Sequence, residues 1–324
     1  MLNILDEVSG CRTIAIGAHI RPDGDAVGSC MAMALYLEKA IPDGRVDVFL
    51  EECEESLMRN IEGSEQIRHD AVTDIDRYDA FICLDCNAPR LGKAYPIFQK
   101  AAKTINIDHH ETNPGTGDVC WVVPKASSAC ELVYQTMDEA RIDQRIAKNL
   151  YIGMVTDTGV FAYSNTSRQT LEIAGKLIEY GFDFPSVVRE VFYEKTYLQQ
   201  QMMGFALRES ELLLDGRVLA THITRETMLA HGAGSKDMEG IASQLVHTYG
   251  VVCAIFMYEI EPGRYKVSLR STGEVNVAEV AAATPGGGGH ARAAGTTVDA
   301  PYEEIVGFMT PLIKEQLDQG VWVK

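Results

Sequence analysis

The stretch Thr13–Ala40, TIAIGAHIRPDGDAVGSCMAMALYLEKA, decides the fold class. Its first six residues are a short apolar run and read as a buried strand. A glycine-containing loop follows, and helical periodicity runs through Cys30 to Ala40. The alternation recurs downstream. RVDVFL (45–50), AFICLD (80–85) and TINID (104–108) read as strands; CELVYQTMDEA (130–140) and AKNLYIGMV (147–155) read as helices. Strands alternating with helices predict an α/β domain with a mostly parallel sheet flanked by helices. In such sheets ligands gather beyond the carboxyl ends of the strands.

The charged residues sit at those ends. His19, Asp23 and Asp25 follow the first strand, Asp85 ends the third, and Asp108, His109 and His110 end the fourth. Asp157 closes a helical run in GMVTDTGVF (153–161). Each piece alone has a plainer reading: a DGD turn, a surface DHH cluster, a helix end. If the segments converge on one sheet edge, five carboxylates and three histidines meet, and bound divalent cations would relieve their repulsion. Mixed imidazole and carboxylate donors suit Mn²⁺, Fe²⁺, Co²⁺ or Zn²⁺ better than Ca²⁺. Their number suggests two ions about 3.5–4 Å apart sharing a carboxylate.

The rest of the chain sets the frame. At 324 residues it exceeds what one compact core usually holds, so two domains are expected. We place the first at 1–184, a helical linker at 185–205 and a smaller α/β domain at 206–324. RVLATHIT (217–224), VVCAIFMYEI (251–260) and RYKVSLRS (264–271) read as strands of the second domain; EEIVGFMTPLIKEQL (303–317) reads as its C-terminal helix. A formal net charge of −17 argues against a surface for duplex nucleic acid. No apolar run is long enough to span a membrane and no signal peptide is evident, so a cytoplasmic location is expected. The eight scattered cysteines fit reduced thiols there. Cys83 and Cys86 form a CxxC around Asp85, which we read as packing beside the site rather than as a redox or zinc centre.

HIRPDGDAVGS, LDCNAPRLG, IDHHETN and GMVTDTGVF stand in the order of the four motifs of the DHH phosphoesterase superfamily, and GGGGHARAAG (286–295) resembles the glycine-rich signature of the DHHA1 domain. Length and arrangement resemble the NrnA-like group of nano-RNases that also dephosphorylate 3′-phosphoadenosine 5′-phosphate (pAp). The resemblance implies an active site in an interdomain cleft. It implies one metal on His19, Asp23 and Asp85, and another on Asp25, Asp85, His109 and Asp157. Asp108 would orient a histidine ligand, and His110 would face the substrate phosphate as a donor or general acid. Mn²⁺ is the expected ion, with Mg²⁺ or Co²⁺ as alternatives. Short RNA, dinucleotides or pAp are the implied substrates, and homodimerisation stays open. The glycine run, with Gly288, Gly289, His290 and Arg292, would clamp a terminal phosphate or nucleotide, aided by Arg270 and Ser271. Arg90 is either a phosphate contact or a solvated loop residue.

The chain departs from the pattern at Ala291, where relatives usually carry lysine, at Pro285, where an aromatic is common, and at Cys86, where a small hydroxyl residue is usual. A cyclic di-AMP phosphodiesterase would use the same metal site. A manganese pyrophosphatase would carry an Arg-Lys cluster in its second domain, and a RecJ-like exonuclease would be longer. A non-catalytic nucleotide sensor would not need all four motifs intact.

Overall fold

The computed structural model describes residues 2–53 and 55–320. The chain divides into two compact units, Met1–Glu194 and Lys195–Lys324. The first is built on six parallel strands: β1 (Thr13–Gly17), β2 (Arg45–Phe49), β3 (Ile67–Arg68), β4 (Ala80–Leu84), β5 (Lys103–Asp108) and β6 (Val119–Val122). Their spatial order is β3-β2-β1-β4-β5-β6. The order reverses between β1 and β4, and such a switch point opens a crevice at the carboxyl edge. The motif loops after β1 and β4 therefore leave the sheet side by side.

Strand alternation sorts the core. Ile14, Ile16, Ile82 and Leu84 face one layer; Ala15, Phe81 and Cys83 face the other, where Tyr78, Leu91 and Phe98 pack. The first layer is dominated by α1 (Gly24–Ala40), α2 (Ala129–Thr136) and α3 (Gln144–Asp157). Every residue of α1 from Gly24 to Leu37 is buried, so this helix runs through the middle of its layer rather than over the surface. It begins six residues earlier than periodicity predicts. The Asp23 side chain accepts from the backbone N–H groups of Asp25 and Ala26, 3.1 Å each, and this cap starts the helix inside what reads as a loop. The strands β3 and β6 were not anticipated either. β3 is two residues long, and β6 is a half-exposed edge strand without apolar alternation.

The second unit carries a mixed six-stranded sheet: β7 (Glu211–Leu213), β8 (Val218–Ile223), β9 (Cys253–Glu261), β10 (Arg264–Ser271), β11 (Gly288–His290) and β12 (Ala293–Asp299), ordered β11-β12-β10-β9-β8-β7. The C-terminal helix Tyr302–Gln319 buries Ile305, Met309 and Ile313 against one face. The helix Tyr197–Arg208, which begins inside the segment expected as a linker and runs past its end, buries Met202 and Ala206 under the other. No described helix is long and apolar enough to cross a membrane.

Candidate metal centre

Three strand ends and two helix ends bring the charged residues together. β1 delivers His19, whose ring is nearly buried. Its Nδ1 lies 2.9 Å from the Ile20 carbonyl, which fixes Nδ1 as the donor and leaves Nε2 free as a potential ligand. Nε2 is 3.3 Å from Asp85 Oδ2 and 3.8 Å from Asp23 Oδ2. Asp23 spends its other oxygen on the α1 cap.

On the other side, His109 Nε2 is 3.4 Å from Asp85 Oδ1, 3.5 Å from Asp157 Oδ2 and 3.8 Å from Asp25 Oδ2. His19, Asp23 and Asp85 thus form one group of potential ligands, and Asp25, His109 and Asp157 another. Asp85 addresses each group with a different oxygen. It is 2% exposed, and its backbone sits at φ 56°, left-handed territory that is costly for a residue with a Cβ.

The charge balance fits cations. Asp85 Oδ1 is buried and meets no hydrogen-bond partner among the described residues, although His109 Nε2 lies 3.4 Å away. Such an orphan needs an explanation, and an ion supplies one. Burial alone would depress His19 and His109, yet Asp85 and the surrounding carboxylates overcome it and push them to about 9 and about 10. Burial, then repulsion from Asp85, drives Asp157 to about 7 against the pull of His109. Burial, with Asp85 and Asp157 beside it, also raises Asp25, and two backbone N–H donors oppose that rise. For Asp85, burial is outweighed by the two imidazoles, which hold it at about 2. Protons here occupy the place of cations, and metal uptake must expel them.

A pH dependence follows. The folded-state pKa values of His19, His109, His110, Asp25 and Asp157 are all raised, so the metal-free fold binds more protons than the unfolded chain and loses stability as pH rises. The histidine share is fully present below about 6.5 and is lost as pH climbs through about 9 and about 10. Asp157 adds a loss of the same sign through about 7. Asp85 acts oppositely, its contribution disappearing only as pH falls towards about 2. Melting curves with chelator and with Mn²⁺ between pH 6 and 10 should diverge, with the metal-induced gain growing with pH. A gain that shrinks with pH would contradict this.

Helix contacts hold the carboxylates in place. Asp25 accepts from the N–H groups of Ala129 (2.6 Å) and Cys130 (2.9 Å) at the first turn of α2, where the helix dipole favours an anion. α1 crosses α3 closely because glycines meet there. A Cβ on Gly28 would lie 2.5 Å from the Asn149 carbonyl, and one on Gly153 would lie 2.8 Å from Asp25 Oδ1.

Asp108 is wholly buried and fully engaged. Oδ1 accepts from the backbone N–H groups of His109 and His110 and from His110 Nδ1 at 2.8 Å; Oδ2 accepts from the Asn113 amide at 2.6 Å. The ring it orients is therefore His110, not His109. This bond is also the first cause of the raised pKa of His110. His110 Nε2 is left to point away from Asp108, on a side chain 37% exposed. Asn113 escaped sequence reading because an uncharged amide carries no motif signal; its place five residues after Asp108 was the available clue. Arg90 is exposed, and its carbonyl accepts from Ile20 N–H at 3.0 Å, tying the second motif to the first. Cys83 and Cys86 are buried free thiols beside Asp85.

In the second unit the register aligns Arg270, Ala293 and His290 in one row, and Ser268, Gly295 and Gly288 in the next. Directly paired residues share a face, so Arg270, His290 and Gly288 stand together; His290 and Gly288 are exposed. Arg270 is braced by Ser243 Oγ at 3.2 Å and the Leu269 carbonyl at 2.9 Å. Gly289 alternates to the opposite face, and Arg292 is exposed in the turn between β11 and β12. Ser271 lies on the buried face. Its Oγ accepts from Gly273 and Val275 N–H groups, so it closes its own turn.

Comparison with known proteins agrees with this architecture. Residues 13–154 match the N-terminal domain of the DHH family, and residues 215–318 match the DHHA1 domain. The chain is 30% identical over 322 residues to a Streptococcus mutans protein named as a probable bifunctional oligoribonuclease and PAP phosphatase NrnA, covering 96% of this chain and 98% of that one. It is 28% identical over 314 residues to the Bacillus subtilis bifunctional oligoribonuclease and PAP phosphatase NrnA, covering 94% and 95%. The crystal structure of an exopolyphosphatase-related protein from Bacteroides fragilis superposes with a TM-score of 0.87 at 25% identity, covering 98% of this chain and 96% of that one.

Proposed function

This chain belongs to the DHH–DHHA1 phosphoesterase family, and from that premise we propose that it hydrolyses short oligoribonucleotides and linear dinucleotides to 5′-mononucleotides and removes the 3′-phosphate of pAp. It is a metal-dependent hydrolase. The observation that carries the reading is the pair of ligand groups that meet at the two oxygens of Asp85. Full-length relatives named for both activities support the substrate class.

In this reading His19, Asp23 and Asp85 hold one divalent cation, and Asp25, Asp85, His109 and Asp157 hold the other, with Mn²⁺ the preferred ion. Such a pair supplies Lewis acidity, lowering the pKa of an attacking water and neutralising charge on the phosphoryl oxygens. The side chains do the positioning. Asp108 fixes the His110 ring through Nδ1, so Nε2 is the atom free to donate. The Asp108 carboxylate raises the His110 pKa and so favours the protonated ring, suited to a phosphoryl oxygen or the departing oxygen. Arg270 and His290 share one sheet face and serve as cationic and hydrogen-bonding contacts for a second phosphate. Eight free cysteines accord with a reducing, cytoplasmic setting.

The test is an assay of purified protein with Mn²⁺ on pApA, pAp, cyclic di-AMP and pyrophosphate. Turnover of pApA and pAp is expected. Pyrophosphate turnover alone would overturn the reading, and inactivity of metal-loaded protein on all four would favour a sensor. His290→Ala should raise KM about 10- to 100-fold with little change in kcat, the scale of one hydrogen bond to a charged group. A loss confined to kcat would move His290 into the chemistry.

A further inference from the structure

One polar network joins the main chain of Asp157 to the helix turn that holds Asp25. The Asn165 side-chain amide donates to the carbonyl oxygens of Ser127 (2.9 Å) and Asp157 (3.1 Å). Both partners are acceptors, so only the amide nitrogen can face them. Asn165 Oδ1 is buried without a hydrogen-bond partner, so the two donated bonds alone set this side chain. Ser127 is anchored in turn. Its N–H (3.2 Å) and Oγ (2.6 Å) donate to Oε2 of Glu131, a carboxylate only 2% exposed, and Thr170 Oγ1 donates to the same oxygen at 2.7 Å. Ser128, next in the chain, caps α2. α2 then presents the Ala129 and Cys130 N–H groups to Asp25.

The network therefore joins the end of α3, which carries Asp157, to the start of α2, which seats Asp25. These two carboxylates belong to the same ligand group. Among the described residues, no hydrogen bond joins Asn165, Ser127 or Glu131 to His19, Asp23 or Asp85. We propose that Asn165, anchored through Ser127 on Glu131, is a positioning residue that sets the separation of Asp25 and Asp157 and so tunes one of the two metal sites. The inference rests on the two-metal reading above.

Isothermal titration of chelator-stripped protein with Mn²⁺ tests it. Wild-type protein should take up two ions. Asn165→Ala should leave one site unchanged and weaken the other about 10- to 100-fold, the usual cost of losing a group that orients a ligand. Circular dichroism should show an unaltered fold. If Asn165→Ala does not fold, Asn165→Asp keeps the shape, removes both donors and carries the same expectation. Glu131→Ala should share the defect. Glu131→Gln should rescue it, because all three bonds end on one oxygen that an amide can supply. Two unchanged sites, or equal weakening of both, would overturn the inference while leaving the proposed function standing. Wild-type protein that binds no Mn²⁺ would defeat the two-metal reading itself.

Discussion

Asp85→Asn is expected to lower kcat by about 10³-fold or more and to reduce bound Mn²⁺ from two ions to at most one. The substitution changes charge and almost nothing else. Asparagine tolerates the left-handed backbone at φ 56° better than other residues, and it fills the same buried volume. What disappears is an anion placed 3.3 Å from His19 Nε2 and 3.4 Å from His109 Nε2. In the proposed two-metal centre both ions use it. Steady-state kinetics on pApA, read beside metal content and a melting curve of the metal-free protein, separate loss of the centre from loss of the fold. A variant retaining a tenth of the activity with two ions bound would refute the shared role of Asp85.

Gly153→Ala is expected to damage both stability and activity. The added methyl would collide with Cys130 Sγ and lie 2.8 Å from Asp25 Oδ1 and 3.0 Å from Asp25 Cα. A side-chain rotation does not relieve contact with a Cα, so α1 and α3 must part. Overpacking of this kind costs about 1–3 kcal/mol. The shift falls on Asp25, and misplacement of a reacting group by about 1 Å can cost 10²-fold in rate. Denaturant unfolding and kcat on pApA should therefore fall together. Unchanged values for both would show that this crossing does not set the position of Asp25.

The convergence of the proposed ligand residues was legible because charge is conspicuous. Aspartates and histidines at the ends of TIAIGA, AFICLD and TINID stand out against apolar strands, and parallel strands must deliver their carboxyl ends to one edge. What holds those residues was less legible. α1 begins at Gly24 because Asp23 caps it, and a DGD turn looks the same in sequence whether or not a helix follows. β6 lacks alternation because it is an edge strand with neither face well buried. Asn113, Asn165 and the α2 N-terminus act through amide hydrogen bonds, which leave no pattern of charge or hydropathy. Ser271 was expected to help bind substrate, yet the period of β10 turns it to the core face and its hydroxyl closes a local turn. Asp108 shows that spacing alone does not choose between neighbouring rings: the backbone after β5 takes its oxygen to His110.

The most direct test of the central claim is a crystal structure of Mn²⁺-soaked protein with anomalous diffraction. Two anomalous peaks are expected about 3.5–4 Å apart, one beside His19 and Asp23, the other beside Asp25, His109 and Asp157, with an oxygen of Asp85 on each. A single peak, or two peaks that Asp85 does not join, would contradict the account.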